Sequence, residues 1–177
     1  MMGSGKTTVG RRVAKRLGRP FVDADEALEA RSGRSVRDWF AEEGEDGFRA
    51  AEADLLVALL AEPEPSVIAA GGGVVVRPEN RAALQEAFVV WLDGDPAFLA
   101  SRVAQKEHRP LIDDDVAGTI HRLHEERGDW YREVADEVVT VAPVHAASEN
   151  PKRDLADLIA ALVRGTENGA LQQRAAR

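Results

Sequence analysis

Apolar and polar residues follow two different periods along this chain, and each period predicts one kind of element. Apolar residues that recur every three or four positions predict amphipathic helices, and short apolar runs between turn signals predict buried strands. The predicted helices cover residues 6–17, 26–31, 36–43, 46–61, 79–87, 95–103, 116–131 and 151–163. The predicted strands cover residues 20–22, 66–70, 88–92 and 137–141.

Residues at the ends of these segments support the helix boundaries. Gly18 stands where a left-handed glycine commonly ends a helix, and Ser35 is a typical N-cap with Asp38 three residues later. Residues 142–150 are predicted to form a loop. Residues 165–177 are polar, contain two glycines and lack an apolar face, so they are predicted to form a frayed, flexible tail.

Strands that alternate with helices indicate an α/β fold with a mostly parallel sheet covered by helices on both faces. Ligands of such folds collect at the carboxyl ends of the strands. Three polar or glycine-rich groups follow predicted strands: Asp23 with Asp25, the run Gly71–Gly73, and Asp93. We therefore expect these groups to meet at one edge of the sheet.

Composition limits the classes of function. The 177 residues predict one domain, residues 1–164, followed by the tail. A net charge of −8 argues against nucleic acid as a partner, and the absence of cysteine excludes disulfides and thiolate metal sites. No apolar run has the length of a membrane span, and no signal peptide is recognisable, so the expectation is a cytoplasmic protein without a membrane partner.

The first residues match the second half of a phosphate-binding loop, whose full pattern is G-x-x-x-x-G-K-[ST]. The matching residues are Gly3, Ser4, Gly5, Lys6, Thr7 and Thr8. Glycines let successive backbone N–H groups turn toward one anion. Lys6 would reach the terminal phosphates of a nucleotide, and the Thr7 hydroxyl would coordinate Mg²⁺. An ordinary glycine-rich turn is the less favoured interpretation, because G-K-T-T opens an amphipathic run.

The first glycine of this pattern, and the apolar strand that precedes such loops, are not in the sequence. Two alternatives stay open: the chain was started too late, or part of the nucleotide site was lost. In either case the sheet is expected to lack its first strand.

Acidic, basic and glycine residues elsewhere are candidates for the chemistry. Of Asp23 and Asp25, one carboxylate could hold Mg²⁺ through water beside Thr7, and the other could draw the proton from a substrate hydroxyl. Arg49 could clamp a carboxylate while Glu52, three residues later on the same helical face, orients its guanidinium. A solvated turn and a surface ion pair are the plain alternatives. The run Gly71–Gly73 predicts close approach of a ligand to the backbone, with a plain tight turn as the alternative.

Two further arginines are candidates for anion binding. Arg109 lies in residues 104–116, a polar segment predicted to be a mobile lid that brings this arginine to the transferred phosphoryl group. Arg127 could hold a substrate anion or could simply be a favourable charge near a helix end. The histidines show no metal-ligand pattern and are predicted to be surface residues: His108, His121, His124 and His145.

These motifs, taken together, resemble the shikimate kinase family. The matching segments, in the family's order and with similar spacing, are G-S-G-K-T-T-V-G-R at 3–11, D-A-D at 23–25, G-E-x-x-F-R-x-x-E at 44–52, G-G-G-V at 71–74, R-P-L at 109–111 and R-x-x-x-Y at 127–131. A phosphate loop alone would indicate nucleotide binding only. Its combination with the other segments is much more specific.

The resemblance implies a P-loop NTPase-like three-layer sandwich, normally with five parallel strands. The first of these strands, which is normally central in the sheet, is absent here. It implies a monomer that uses ATP and Mg²⁺ to phosphorylate the 3-hydroxyl of shikimate, on the route to chorismate and aromatic amino acids. A helical part at residues 24–61 would bind the substrate.

The resemblance also implies roles for single residues. ATP phosphates would lie on the loop from Gly3 to Thr8, with Lys6 as a catalytic cation, Thr7 and Asp23 near the metal, Arg102 against adenine and Arg109 on the lid. Shikimate would contact Asp25, Arg49, Gly71, Gly72, Gly73 and Arg127. Asp25 would be the catalytic base, and Glu52 would orient Arg49.

Two other functions stay open from the sequence. One is a kinase for another small hydroxy acid, such as gluconate. The other is a nucleotide-binding relative that has lost catalysis, which the incomplete loop favours and the retained Lys6, Asp25 and Arg49 disfavour.

Overall fold

A computed structural model describes residues 1–104 and 115–175, with the backbone alone for residues 169–175. The helices α1 to α9 are Lys6–Leu17, Ala24–Ser32, Val36–Glu42, Gly44–Leu60, Pro78–Leu84, Pro96–Ala104, Val116–Val134, Val141–Ala147 and Pro151–Ala175. The strands β1 to β4 are Phe21–Asp23, Val67–Ala69, Val90–Asp93 and Glu137–Thr140. Helices and strands alternate as the sequence predicts.

The predicted helix ends are confirmed where they depend on cap chemistry. Gly18 ends α1 with a left-handed φ of 67°, and its N–H donates to the carbonyl of Ala14. Ser35 begins α3 with a capping box, because its side chain accepts from the Asp38 N–H while the Asp38 carboxylate accepts from the Ser35 N–H. Local chemistry alone fixes these ends.

Two predictions in the last part of the chain are wrong. The predicted loop at residues 142–150 contains α8, which is anchored by the fully buried Val141. The last helix, predicted to end at residue 163, continues to Ala175, so the predicted frayed tail is helical up to that residue. Polar contacts to the end of α1 hold this extension, since Arg164 donates to the Arg16 carbonyl and Glu167 pairs with Arg19.

The strands form two parallel pairs. Strand β1 pairs with β2 in the register Phe21 to Val67, and β3 pairs with β4 in the register Val90 to Glu137. Within residues 1–104 and 115–175, no strand lies between β2 and β3. The predicted parallel pairing is therefore confirmed, and the sheet is divided into two halves as expected for a sheet without one inner strand.

Helices cover both faces of these half-sheets. On β3, consecutive side chains point to opposite faces: Trp91 packs with α5, α6 and α7, whereas Leu92 packs with α1 and α9. A third apolar cluster, centred on Leu28, Phe48 and Leu55, joins α2 and α3 to α4. This arrangement is the predicted layered α/β fold.

A cavity of about 440 Å³ occupies the space between the two half-sheets. Residues that line it include Val67, Ile68 and Ala69 of β2, Val90, Trp91 and Leu92 of β3, and apolar side chains of α1, α4, α7 and α9. Met1 lies at the carboxyl-end side of the cavity, beside Gly72. Burial lowers the pKa of the Met1 α-amino group well below its usual value, and the charges of Lys6 and Arg127 lower it further.

Adding a five-residue apolar segment and a glycine before Met1 is expected to raise the melting temperature by at least about 5 °C. The added segment would pair with the inner edges of β2 and β3, fill an apolar cavity and convert the buried amine to an amide. Thermal unfolding of the extended chain measures this effect. An extension of equal length made of glycine and serine is the control, and equal melting temperatures for the two extensions would contradict the prediction.

Candidate active site

The phosphate-binding loop turns on two glycines with left-handed backbone angles. Gly3 has a φ of 76°, and Gly5 has a φ of 92° and begins α1 as its N-cap. A Cβ atom at Gly3 would lie 2.6 Å from the carbonyl oxygen of Leu99. Glycine is therefore required at residue 3 by both backbone angle and space. The loop directs a helix N-terminus toward the carboxyl edge of the strands, the geometry that suits an anion.

Side chains of the loop and of α6 hold this turn in place. The Ser4 hydroxyl and the Lys6 ammonium each donate to the carbonyl oxygen of Met1, at 2.9 Å. Ser4 is only 1% exposed, so its hydrogen bond is part of the loop's structure. The Arg102 guanidinium donates to the Gly3 carbonyl oxygen at 2.8 Å, so this residue lies beside the loop, and its contact with adenine stays a prediction.

The loop connects directly to the end of β1. The Thr7 hydroxyl donates to Asp23 Oδ2 at 2.7 Å, and Asp23 Oδ1 accepts from the Asp25 N–H at 3.1 Å and caps α2. A hydroxyl and a carboxylate are the hard oxygen donors that Mg²⁺ prefers. In the part of the chain that the structure describes, no three His, Cys, Asp or Glu residues form a metal-binding group. An ion here would therefore need oxygens from water or a nucleotide as well.

Arg49 and Glu52 form a buried ion pair on α4. One guanidinium nitrogen of Arg49 donates to Glu52 Oε2 at 2.8 Å, and another donates to Glu45 Oε1 at 3.1 Å. Arg49 is 9% exposed and Glu52 5%. Burial raises the pKa of Glu52, and the charge and hydrogen bond of Arg49 oppose that shift. The pair is therefore buried, whereas the alternative interpretation of the sequence was an exposed ion pair at the surface.

The three glycines after β2 let this ion pair approach the backbone. A Cβ atom at Gly71 would lie 2.7 Å from Glu52 Oε1 and 3.3 Å from Asp25 Oδ1, and a Cβ atom at Gly73 would lie 2.1 Å from the Arg49 guanidinium. The sequence predicted close approach of a ligand at this position. In the structure, the groups that approach closely are the protein's own side chains.

Helix α7 contributes two residues that contact the run Gly71–Gly73. Arg127 donates to the Gly72 carbonyl oxygen at 3.1 Å, and the Tyr131 hydroxyl donates to the same oxygen. Burial raises the pKa of Tyr131, with the charge of Arg127 opposing the shift. Arg127 is therefore directed toward the glycine run, rather than serving only as a charge at a helix end.

An open cleft of about 1030 Å³ brings the predicted substrate residues together. Its lining includes Asp25, Arg49, Gly71, Gly72, Gly73 and Arg127. Met1, which accepts the hydrogen bonds from Ser4 and Lys6, lines this cleft too, so the cleft and the phosphate loop adjoin. Within this lining, the guanidinium groups of Arg49 and Arg127 and the carboxylate of Asp25 suit a small hydroxylated acid.

One predicted site residue, Arg109, lies outside the described residues, as does most of the predicted lid. His108 lies outside them as well. The other predicted site residues lie on the loop, at the strand ends or on the cleft, except Arg102, which lies on α6 and contacts the loop.

Two of the histidines predicted to be surface residues are partly buried and have specific partners. His124 is only 22% exposed and contacts Asp93 Oδ1 at 3.1 Å, and His145 packs against the Arg102 guanidinium. His121 is 63% exposed, as predicted. A signal for His124 was available in the sequence, because it lies three residues before Arg127 and therefore on the same helical face.

No helix among the described residues combines the length and the apolar character needed to cross a membrane.

Comparisons with known proteins agree on one family. A family model described as "Shikimate kinase" matches residues 2–162. A shikimate kinase of Symbiobacterium thermophilum is 44% identical over 167 residues, which cover 92% of this chain and 90% of that protein. A shikimate kinase of Burkholderia thailandensis is 46% identical over 141 residues, covering 78% of this chain and 76% of that protein.

Solved structures give the same result for the fold. Shikimate kinase from Acinetobacter baumannii in complex with shikimate superimposes with a TM-score of 0.83 and 34% identity, covering 93% of this chain and 89% of that one. Shikimate kinase from Bacteroides thetaiotaomicron also gives a TM-score of 0.83, at 27% identity, covering 93% and 94% of the two chains.

Proposed function

The chain belongs to the shikimate kinase family, and on that premise we propose that it transfers the γ-phosphoryl group of ATP to the 3-hydroxyl of shikimate. The observation that carries this proposal is the shared cleft, in which Asp25, Arg49 and Arg127 face the glycine run beside a phosphate-binding loop. The loop supplies a place for the nucleotide, and the cleft supplies charges that fit a small acid with hydroxyl groups.

Arg49 and Arg127 are proposed to bind the carboxylate of shikimate. Arg49 is buried and is held on two sides by Glu52 and Glu45, so its guanidinium loses little side-chain entropy when it binds an anion. A planar guanidinium can form two parallel hydrogen bonds to one carboxylate, which fixes the orientation of the ligand. Orientation is what a phosphoryl acceptor needs most, because its hydroxyl must lie in line with the bond that breaks.

Asp25 is proposed to take the proton from the substrate hydroxyl. Its carboxylate lies at the glycine run, close to the space that a Gly71 side chain would occupy. Proton transfer to Asp25 leaves the oxygen of shikimate free to form a bond to the γ-phosphorus. The bond from that phosphorus to the bridging oxygen breaks, and ADP leaves with the electron pair.

ATP is proposed to bind with its phosphates on the loop from Gly3 to Thr8. Lys6 would donate to the terminal phosphates, and Arg102, which already contacts the Gly3 carbonyl oxygen, would lie against adenine. Mg²⁺, held by the Thr7 hydroxyl with Asp23 in support, would neutralise part of the phosphate charge. Arg109 remains the predicted lid arginine. A monomeric state and a cytoplasmic location also stay predictions.

A panel of hydroxy acids tests the proposed substrate. With ATP and Mg²⁺ present, we expect shikimate to stimulate ADP release at least about 100-fold above the rate without acceptor, because a correctly positioned hydroxyl replaces water as the acceptor. Gluconate and quinate are expected to give less than about a tenth of the shikimate rate. Equal rates with gluconate, or no stimulation by any acid, would contradict the proposal.

Replacing Gly73 with alanine is expected to raise the KM for shikimate about tenfold and to leave the KM for ATP nearly unchanged. The added Cβ atom would overlap the Arg49 guanidinium, which must then leave its position between Glu45 and Glu52. Steady-state kinetics with each substrate varied measures the difference. Gly165→Ala is the matched control, since nothing lies within 4 Å of the position of its Cβ atom. An unchanged shikimate KM in Gly73→Ala would contradict the assignment.

A further inference from the structure

Three residues on one face of α7 point toward β3 and the glycine run. His124, Arg127 and Tyr131 are spaced by three and four residues, which places them on the same side of a helix. Arg127, the proposed shikimate ligand, is the middle residue. The two outer residues make the contacts that fix the helix against the sheet.

Strand β3 supplies the partners of both outer residues. Trp91 and Asp93 are two residues apart and therefore point to the same face of the strand. The Trp91 ring stacks on the Tyr131 ring, with centroids 5.3 Å apart and planes at 21°. Asp93 Oδ1 lies 3.1 Å from His124 Nε2 and also accepts from the Gly94 N–H at 2.9 Å.

These contacts attach α7 to β3 on both sides of Arg127. The stack of Tyr131 on Trp91 is apolar and tolerates sliding along β3, and the Tyr131 hydroxyl bonds to Gly72 outside this strand. The hydrogen bond at His124 is the contact of this face that defines one position of α7 along β3. Both partners of this hydrogen bond are largely shielded from solvent, with the His124 side chain 22% and the Asp93 side chain 27% exposed. The position of α7 in turn sets where the Arg127 guanidinium lies relative to the Gly72 carbonyl oxygen.

We propose that the His124–Asp93 pair positions Arg127 for the carboxylate of shikimate. His124 acts through Arg127 and does not touch the substrate. The inference rests on the proposed function, in which Arg127 binds shikimate. It assigns His124 a role in substrate affinity, although no sequence motif marks this residue.

Kinetics of His124→Ala test the proposal against a matched control. We expect the KM for shikimate to rise about tenfold with the KM for ATP nearly unchanged, because the lost hydrogen bond to a charged group no longer fixes α7 beside Arg127. His121→Ala is the control, since His121 lies one turn earlier on α7 and its ion pair with Glu125 is exposed. His124→Gln, whose amide can donate to Asp93, is expected to stay within about twofold of the original KM. Equal increases in both KM values, or no rescue by glutamine, would overturn the proposal.

A double-mutant cycle with Arg127→Ala shows whether His124 acts through this arginine. If it does, adding His124→Ala to Arg127→Ala changes the shikimate KM by less than about twofold. A further tenfold increase in the double variant would mean that the two residues act independently, and would overturn the proposal. Failure of the proposed function has a different signature, because the unmodified chain would then show no stimulation by shikimate.

Discussion

Replacing Lys6 with alanine is expected to lower kcat at least about 100-fold while the KM for shikimate changes less than about threefold. Lys6 begins α1 at the phosphate loop, where its ammonium donates to the Met1 carbonyl oxygen. In the proposed mechanism this ammonium lies against the terminal phosphates, where negative charge must be stabilised as the phosphoryl group moves. Removing one such preorganised donor commonly lowers kcat by a factor of about 100 to 1000.

Lys15→Ala is the control for the loss of a positive charge from the same helix, because Lys15 is exposed and lies more than two turns from the loop. Its kcat should equal that of the unmodified chain. Steady-state ADP release measures both variants. A Lys6→Ala variant that keeps more than about a third of the original kcat would exclude Lys6 from the catalytic machinery.

Replacing Arg49 with alanine is expected to raise the KM for shikimate about 100-fold, equal to about 2.8 kcal/mol of binding free energy, and to leave ATP binding nearly unchanged. The Arg49 guanidinium is buried in the cleft against Gly73, and it donates to Glu52 and Glu45 of α4. Calorimetric titration with shikimate and with an ATP analogue measures each affinity. Equal loss of both affinities would contradict the separate roles assigned to the cleft and the loop.

Loss of Arg49 also leaves Glu52 buried without its main partner, which is expected to lower the free energy of unfolding by about 3 kcal/mol. Arg49→Lys separates this stability effect from the binding effect. Lysine keeps a positive charge for Glu52 but cannot offer a planar, two-pronged contact to a carboxylate. We therefore expect Arg49→Lys to keep most of the unfolding free energy of the unmodified chain. Its affinity for shikimate is expected to be less than about a tenth of that of the unmodified chain. Arg31→Ala, at an exposed position on α2, is the control.

The sequence predicted the parts of this molecule that depend on local chemistry. Gly18 and Ser35 end and begin helices through their own backbone angle and side chain, so the boundaries at these residues are confirmed. The meeting of Asp25 and the glycine run at one edge follows from the direction of parallel strands. The pairing of Arg49 with Glu52 follows from a spacing of three on a helix.

The sequence could not predict what depends on tertiary contacts. Burial of the Arg49–Glu52 pair requires the glycine run of a distant segment to lie against α4. The continuation of α9 depends on contacts with Arg16 of α1 and with Arg19 just after it, which lie far away in the chain. Helix α8 was missed because Pro143 favours a loop when the sequence is considered alone. In the structure this proline lies in the first turn of α8, where proline is tolerated.

The apolar cavity between β2 and β3 bears on the expectation, drawn from the sequence, that one strand of the sheet is absent. An inner strand was expected to be absent, and the structure places an apolar space between two parallel half-sheets. Met1 lies at this cavity and also accepts the hydrogen bonds of Ser4 and Lys6. Filling the cavity should therefore stabilise the phosphate loop as well as the core.

The identity of the product, followed by ³¹P NMR during incubation with ATP, Mg²⁺ and shikimate, tests most directly whether the cleft and the loop act together. We expect a new phosphate monoester signal, coupled to the proton on carbon 3 of shikimate, that grows as the γ-phosphate signal of ATP declines. Release of inorganic phosphate alone, or an ester on a different hydroxyl, would contradict the claim that the cleft presents the 3-hydroxyl of shikimate to the phosphate loop.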